Sequence, residues 1–378
     1  MPIWSETDLR AMRRALRVAT LSLGRTWPNP GVGCVLVRDG EVMGEGRHAV
    51  YGQAHAELNA LTACRSAGRD PAGATAYVTL APCTRHGRQP PCVEALVAAR
   101  VARVVAAIDD PHQDDPRAWL EPAGIAYESG CLSEVARHLH GGFIARIALG
   151  RPRFTGKWAM SLDGCIAATG GDAGWISSPE ALAQSRRRRR CFDAILVGAG
   201  TVANDDPRLL STVPEERTPL RVVVSRRAAL ASDTILAATA AQAPVLVVHG
   251  PDAPAWRLTA LQAARVELLV VEDPHDPQQV AVALARRGLN DVLVEGGSHI
   301  HGAWLRAGLY DRLEIYASAL TLGGGQTVCH GAGVPAVKLG TRWIAEQAPR
   351  LLGDTLCWRL TRPGRIADLA PVVIVPDS

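Results

Sequence analysis

Aromatic residues make up only 4% of the 378-residue chain, with 3 Phe and 5 Tyr beside 9 Trp. Cysteine is also sparse. The 9 Cys are odd in number and follow no disulfide framework, so they read as thiols in a reducing cytoplasm, some of them free to bind metal. No uninterrupted apolar run approaches the roughly 18 residues of a membrane span, so no membrane segment is expected. The first 14 residues carry Glu6, Asp8, Arg10, Arg13 and Arg14 and lack an apolar core, which argues against a signal peptide. The 36 Gly and 25 Pro show no triplet period, excluding collagen. The net charge of +4 is too small to argue for a nucleic-acid partner. No internal repeat is found, and the run Arg186 to Arg190 is the one biased segment. What remains, 47% hydrophobic and 21% charged residues, is ordinary for a folded protein. Its length asks for more than one core.

Periodicity organises the chain into two α/β series. In the first, helical spacing of Leu9, Met12, Leu16, Ala19 and Leu23 predicts a helix over 6–23. Strands are expected over 32–38, 41–46, 74–80 and 103–108, with Asp39-Gly40 as a hairpin turn. Helices are expected over 54–67 and 93–99, and 132–149 reads as a connecting helix. Helices interleaved with buried strands give a three-layer α/β domain. Arg151-Pro152-Arg153 marks a boundary, dividing the chain into 1–150 and 151–378. The second series places strands over 154–160, 194–197, 221–224, 245–248, 266–271, 291–295 and 312–317, with antiparallel strands over 339–375.

The first chemical constellation is His55-Ala56-Glu57 at a helix start, then Ala81-Pro82-Cys83 after a strand, then Pro90-Pro91-Cys92 entering a helix. One imidazole and two thiolates with an open fourth position form the ligand set of catalytic zinc, which makes hydroxide available near neutral pH. Glu57, two residues from His55, is suited to carry a proton to a leaving amine without ligating the metal. This is the order of a zinc deaminase. A lone His-x-Glu is weak. The same pair followed by a strand, Pro-Cys and a second Cys is far sharper, although eight residues separate Cys83 and Cys92 here.

That wider loop, residues 82–92, resembles the loop of the bifunctional riboflavin-biosynthesis deaminase/reductase family. So do Gly24-Arg25-Thr26-Trp27-Pro28-Asn29-Pro30 and Val32-Gly33-Cys34-Val35. The resemblance implies a cytidine-deaminase-like N-terminal domain. That domain would remove the 2-amino group of 2,5-diamino-6-(5-phosphoribosylamino)pyrimidin-4-one. By the same correspondence His55, Cys83 and Cys92 hold zinc, Glu57 shuttles the proton and Asn29 holds the pyrimidine. Two positions depart from the family: Ala81 stands where Glu is usual before Pro-Cys, and Arg85 where His is usual.

The second series carries Lys157-Trp158-Ala159-Met160-Ser161-Leu162-Asp163-Gly164, Gly174-Trp175-Ile176-Ser177, 194–202 running into Asp205-Asp206-Pro207, and 292–298 with Glu295-Gly296-Gly297. Glycines after strand ends let backbone amides approach phosphates. The next strand ends in Ser225-Arg226-Arg227 rather than an acidic residue, which favours NADPH over NADH; the alternative is a solvated basic turn. These motifs resemble the reductase half of the same family, whose fold is like dihydrofolate reductase. The resemblance implies NADPH reduction of the ribosyl side chain to ribityl. Ala159, Trp175, Thr201, Asp205, Ser225 and Gly297 would line the cofactor. Ala173, Arg189, Leu209 and Glu295 would lie near the substrate. Lys157 and Asp205 are candidate proton-relay groups.

Arg186, Arg187 and Arg190 read as a solvated helix face, and no interleaved aromatics support a nucleic-acid patch. The His299/His301 pair faces two ways on a helix, and His138 and His140 read as surface groups. The leading reading is therefore a cytoplasmic bifunctional enzyme using Zn2+ and NADPH on a small phosphoribosylaminopyrimidine. It has no nucleic-acid or membrane partner, and the family resemblance implies a homo-oligomer that associates through the reductase half. Three alternatives are a paralogue serving a specialised azapteridine or flavin-like pathway, a tRNA-editing deaminase and a non-catalytic scaffold.

Overall fold

The computed structural model describes residues 4–174, 176–212 and 218–364. Two compact units emerge, one built on the residues up to Leu149 and one on Gly150–Arg365.

The first unit opens with α1 (Glu6–Thr20), started by a reciprocal cap: Ser5 Oγ accepts from the Asp8 amide at 3.1 Å and the Ser5 amide donates to Asp8 Oδ2 at 2.9 Å. β1 (Gly33–Arg38) turns through Asp39 and Gly40, both at positive φ, into β2 (Glu41–Arg47). α2 (Ala56–Ser66), β3 (Thr75–Val78), α3 (Cys92–Ala98), β4 (Arg103–Ala106), α4 (Arg117–Leu120) and β5 (Ala126–Ser129) follow. The sheet order is β2-β1-β3-β4-β5, with β3, β4 and β5 parallel. β1 is buried on both faces. Cys34 and Leu36 enter a core with α2 and α3, while Val35 and Val37 enter another with α1 and Phe143. Two glycines let the helices close on the sheet. A Cβ at Gly33 would sit 2.2 Å from the Ala15 carbonyl oxygen, and one at Gly46 2.3 Å from the Ala60 nitrogen.

The expected connecting helix is two helices, α5 (Ser133–Leu139) and α6 (Gly141–Leu149), that pack back onto this sheet through Ala136 and Phe143. The break between them buries both histidines expected at the surface. His138 and His140 are 7% and 3% exposed, and His140 Nε2 lies 3.1 Å from Thr79 Oγ1. Their polar ring atoms disguised an inward-facing stripe.

The second unit runs β6 (Arg153–Met160), β7 (Cys165–Ala167), α7 (Pro179–Arg188), β8 (Ala194–Gly198), α8 (Ala199–Asp205), β9 (Leu220–Val224), α9 (Ile235–Ala238), β10 (Val245–His249), α10 (Ala255–Ala263), β11 (Glu267–Val270), α11 (Pro277–Arg286), β12 (Asp291–Val294), α12 (Ser298–Arg306) and β13 (Tyr310–Ser318). It ends in β14 (Gln326–Thr327), β15 (Ile344–Ala345), β16 (Arg350–Leu352) and β17 (Thr355–Thr361). The main sheet has the order β11-β10-β9-β8-β12-β6-β13-β17-β15, parallel from β11 to β13 and antiparallel beyond. The chain winds outward from β8 to β11 and returns with β12 on the other side of β8. The crevice at the carboxyl ends of β8 and β12 is therefore a topological switch point, where open α/β sheets bind ligands. Antiparallel strands were expected over 339–375; they are found up to Thr361, and residues 365–378 lie outside the described residues. Among the described residues no helix is long and apolar enough to cross a membrane.

Candidate metal centre and nucleotide crevice

His55 is the extended residue that precedes α2. It makes no capping bond to the helix, which leaves its ring free to face the loop after β3. That loop is pinned at both ends. The Ala81 amide donates to the Ile108 carbonyl at 2.9 Å, and the Cys92 amide, opening α3, donates to Cys83 Sγ at 3.2 Å. The result brings His55 Nδ1 to 3.3 Å from Cys92 Sγ and 3.5 Å from Cys83 Sγ. The three ligand atoms all lie within 4.8 Å of one another. A tetrahedral zinc with Zn–S near 2.3 Å and Zn–N near 2.0–2.1 Å has N···S edges of about 3.6 Å. The donor set therefore fits the metal in both chemistry and spacing.

The charges agree with that fit. Contact with Cys92, together with the His55 imidazole, holds the Cys83 thiol far below its ordinary range, while Cys83 and burial push Cys92 up. The pair thus shares one proton, which a divalent cation displaces on binding. Glu57, in the first turn of α2, is 3% exposed. Burial first, and the Cys83 charge second, push its carboxyl up to about 7. A carboxyl in that range can both take and give a proton near neutrality.

Asn29 and one residue not singled out in the sequence complete this site. Asn29 Nδ2 lies 3.3 Å from His48 Nε2, and His48 Nδ1 lies 3.1 Å from the Ala54 carbonyl. A carbonyl only accepts, so Nδ1 carries the ring proton and Nε2 accepts from the Asn29 amide. Burial keeps His48 neutral, and its ring stands edge-on to His55 at 5.1 Å. The sequence signal was a histidine where β2 ends, seven residues before His55. The two departures have simple consequences. Ala81 is buried, and Arg85 turns outward onto Asp114 at 2.8 Å while its amide donates to Gln113 Oε1 at 3.3 Å.

In the second unit, the helix starts after β8 and β12 meet. The Gly297 amide donates to Thr201 Oγ1 at 3.1 Å across the switch point. Gly198 and Gly297 precede α8 and α12 without side-chain caps. Ile300 packs against the glycines on both strands: a Cβ at Gly296 would be 2.6 Å from Ile300 Cβ, and one at Gly198 3.0 Å from its Cγ1. Uncapped helix starts brought together by glycines suit the phosphates of NADPH. Ser225 follows β9, its Oγ accepting from the Ala229 amide at 2.7 Å; Arg226 pairs with Asp252 at 3.2 Å and Arg227 is exposed.

Arg189 and Glu295 form a two-bonded ion pair (2.9 and 2.8 Å), and Arg189 Nη1 also donates to the Leu210 carbonyl at 3.1 Å. Burial alone would raise Glu295, but Arg189 and Lys157 outweigh it and hold its carboxyl at about 2. Lys157 and Ala159 lie on β6. Leu209 has φ 53° and is 2% exposed; its side chain belongs to the core beside Ile195 and Val223 rather than to a cleft. Asp205 closes α8 and is exposed, as is Ala173 in the loop before α7. Trp175 lies outside the described residues.

Comparison with known proteins agrees with both halves. The cytidine and deoxycytidylate deaminase zinc-binding region matches residues 5–108, and the RibD C-terminal domain matches 152–352. The riboflavin biosynthesis protein RibD of Bacillus amyloliquefaciens is 35% identical over 335 residues, covering 86% of this chain and 89% of its own. That of Escherichia coli K12 is 36% identical over 336 residues, covering 82% and 88%. Among solved structures, the diaminohydroxyphosphoribosylaminopyrimidine deaminase/5-amino-6-(5-phosphoribosylamino)uracil reductase of Thermotoga maritima superposes with a TM-score of 0.84 at 30% identity. It covers 94% of this chain and 99% of that one.

Proposed function

The chain belongs to the bifunctional riboflavin-biosynthesis deaminase/reductase family, and on that footing we propose how its residues share two reactions. It is a zinc-dependent hydrolytic deaminase and an NADPH-dependent reductase acting in succession on a phosphoribosylaminopyrimidine. Its relatives across most of the chain are riboflavin-pathway proteins, and no finding favours the specialised-pathway alternative.

Residues 1–150 carry the deamination and 151–378 the reduction. His55, Cys83 and Cys92 would hold zinc, which when bound supplies an activated water. Asn29, its amide oriented by His48, holds the pyrimidine. Glu57 takes the proton of the attacking water and passes it to the departing amino group, so that the water oxygen becomes an exocyclic carbonyl and ammonia leaves. Neither Ala81 nor Arg85 supplies a ligand, so their departure from the family leaves this chemistry intact.

In the second reaction Ala159, Thr201, Asp205, Ser225 and Gly297 would hold NADPH, to which Trp175 is assigned by the family correspondence alone; when bound it would supply hydride for the former anomeric carbon. The C1′–O4′ bond breaks, and the ribose oxygen must gain a proton. Lys157 donates it, and the solvent-exposed position of Asp205 makes it the weaker candidate. Ala173, Arg189, Glu295 and the backbone at Leu209 border the substrate. The enzyme works in the cytoplasm, a reading supported by nine cysteines of which none is paired in a disulfide. It pairs with a second copy through the reductase unit, as the exposed Val334, Val337, Leu339 and Leu351 suggest. Nucleic acid and membrane are not partners.

The observation that carries this reading is the convergence of His55, Cys83 and Cys92 beside buried Glu57. The test is mass spectrometry of both steps, with and without NADPH and a chelator. Metal-stripped protein is expected to release no ammonia, yet still to reduce the deaminated intermediate when it is supplied. Undiminished ammonia release from stripped protein would refute the assignment.

A further inference from the structure

Lys157 sits in the middle of a row of charges that crosses three strands. β12 pairs with β6 at Val294 and Gly156, so the next step sets Glu295 beside Lys157. On the other side, β13 pairs with β6 at Glu314 and Lys157. Alternate residues share a sheet face. Tyr316 accordingly lies on the Glu314 side, and Lys157 Nζ stands 5.5 Å above its ring. The lysine is thus flanked by two carboxylates. Each carboxylate is taken by a different one of two consecutive arginines. Arg189 grips Glu295, and Arg188, the last residue of α7, grips Glu314 through Nε at 3.1 and 3.3 Å and through Nη2. The Arg188 and Glu314 side chains are 17% and 2% exposed.

We propose that Arg188 and Glu314 are positioning residues for the Lys157 amine: a second clamp, mirroring Arg189 and Glu295, that keeps a carboxylate beside Lys157 without letting it lock the lysine into an ion pair. A buried lysine with two free carboxylate neighbours would be held as a fixed cation. A buried lysine with none would lose its charge. With both neighbours clamped, the amine keeps its proton yet can give it up. The proton-donor role of Lys157 belongs to the function proposed above; the control of its charge by this clamp does not depend on it.

The other groups around the amine are accounted for. Arg186 of α7 adds positive charge, and Arg359 on β17 is the cross-strand partner of Glu314. His301 of α12, edge-on to Trp158 at 5.1 Å, is held neutral by burial. Burial, with Arg189 and Arg186, lowers Lys157, while Glu295 and Glu314 oppose that fall.

The chain has only two lysines, Lys157 and Lys338, so competitive reductive methylation across a pH series, read by peptide mass spectrometry, titrates Lys157 against an internal reference. Glu314→Gln is expected to move the Lys157 titration down by about one pH unit or more, and Arg188→Met to move it up by a similar amount. The double variant R188M/E314Q falls between them. The alkaline limb of reductase activity follows the same order, and NADPH binding together with near-UV circular dichroism reports that the reductase unit of each protein is folded. Shifts of the same sign, or an unmoved Lys157 titration in folded protein, would overturn the proposal. Should Arg188→Met fail to fold, Glu314→Gln and the double variant decide it. Titration shifts with an unmoved reductase profile would support the clamp and remove Lys157 from the proton-donor role.

Discussion

Glu57→Gln protein is expected to retain its zinc and to lose ammonia release by about 10²- to 10⁴-fold, the usual contribution of a positioned general acid–base. The side chain keeps its size and hydrogen-bonding reach and makes no ligand bond, so the metal site should stay assembled. What disappears is the only carboxyl in the first turn of α2. Reduction of the deaminated intermediate should be unchanged. A second consequence concerns stability. In metal-stripped protein the Glu57 carboxyl titrates at about 7 rather than its ordinary 4.5. A folded-state value above the unfolded one stabilises the fold fully below about pH 4.5, and that contribution is lost as pH rises through 7. Across that window stripped wild-type protein should therefore lose stability relative to stripped Glu57→Gln as pH rises; the comparison between the two proteins is the readout, because the depressed Cys83 thiol adds stability to both over the same range. Full ammonia release by the variant would show that another group moves the proton.

Lys157→Met should have the complementary effect: reduction down by about 10²- to 10⁴-fold, deamination intact. The fold should tolerate the change. Removing the lysine leaves Glu295 with Arg189 and Glu314 with Arg188, so neither buried carboxylate is orphaned. Methionine fills the same stem volume above Tyr316. The comparison that matters is with Glu295→Ala, which strands Arg189 beside the lysine and is expected to cost stability as well as activity. If Lys157→Met reduced substrate at the normal rate, the proton for the ribose oxygen would come from elsewhere.

The two sites differed in how far they could be read from sequence. His55, Glu57, Cys83 and Cys92 were legible because each sits where a helix begins or a strand ends, and local spacing reports such places. His48 was not, since a hairpin return brings it to Asn29 and no local pattern marks that meeting. In the reductase half Arg189 and Glu295 were identified only as substrate neighbours. Their bonding to each other, and the parallel role of Arg188 and Glu314, depend on the order of strands β12, β6 and β13 in the sheet. That order follows from the crossover after β11, which hydrophobic periodicity does not encode. The burial of the Leu209 side chain was not legible for a similar reason: its left-handed backbone turns that side chain into the core, so only its backbone is proposed to border the substrate. The strand centres were predicted well because they are continuous apolar runs, as in 194–197 and 245–248. The short pair β7 and β14 was missed because its strands are only three and two residues long, too short to show an alternation.

X-ray absorption at the zinc edge of the purified full chain tests the central claim most directly. The account predicts one zinc per chain with two sulfurs near 2.3 Å and a light-atom shell near 2.0 Å containing one imidazole, and loss of one sulfur in Cys83→Ser. A shell of nitrogen and oxygen alone, or a metal whose coordination is untouched by replacing Cys83 and Cys92, would contradict it.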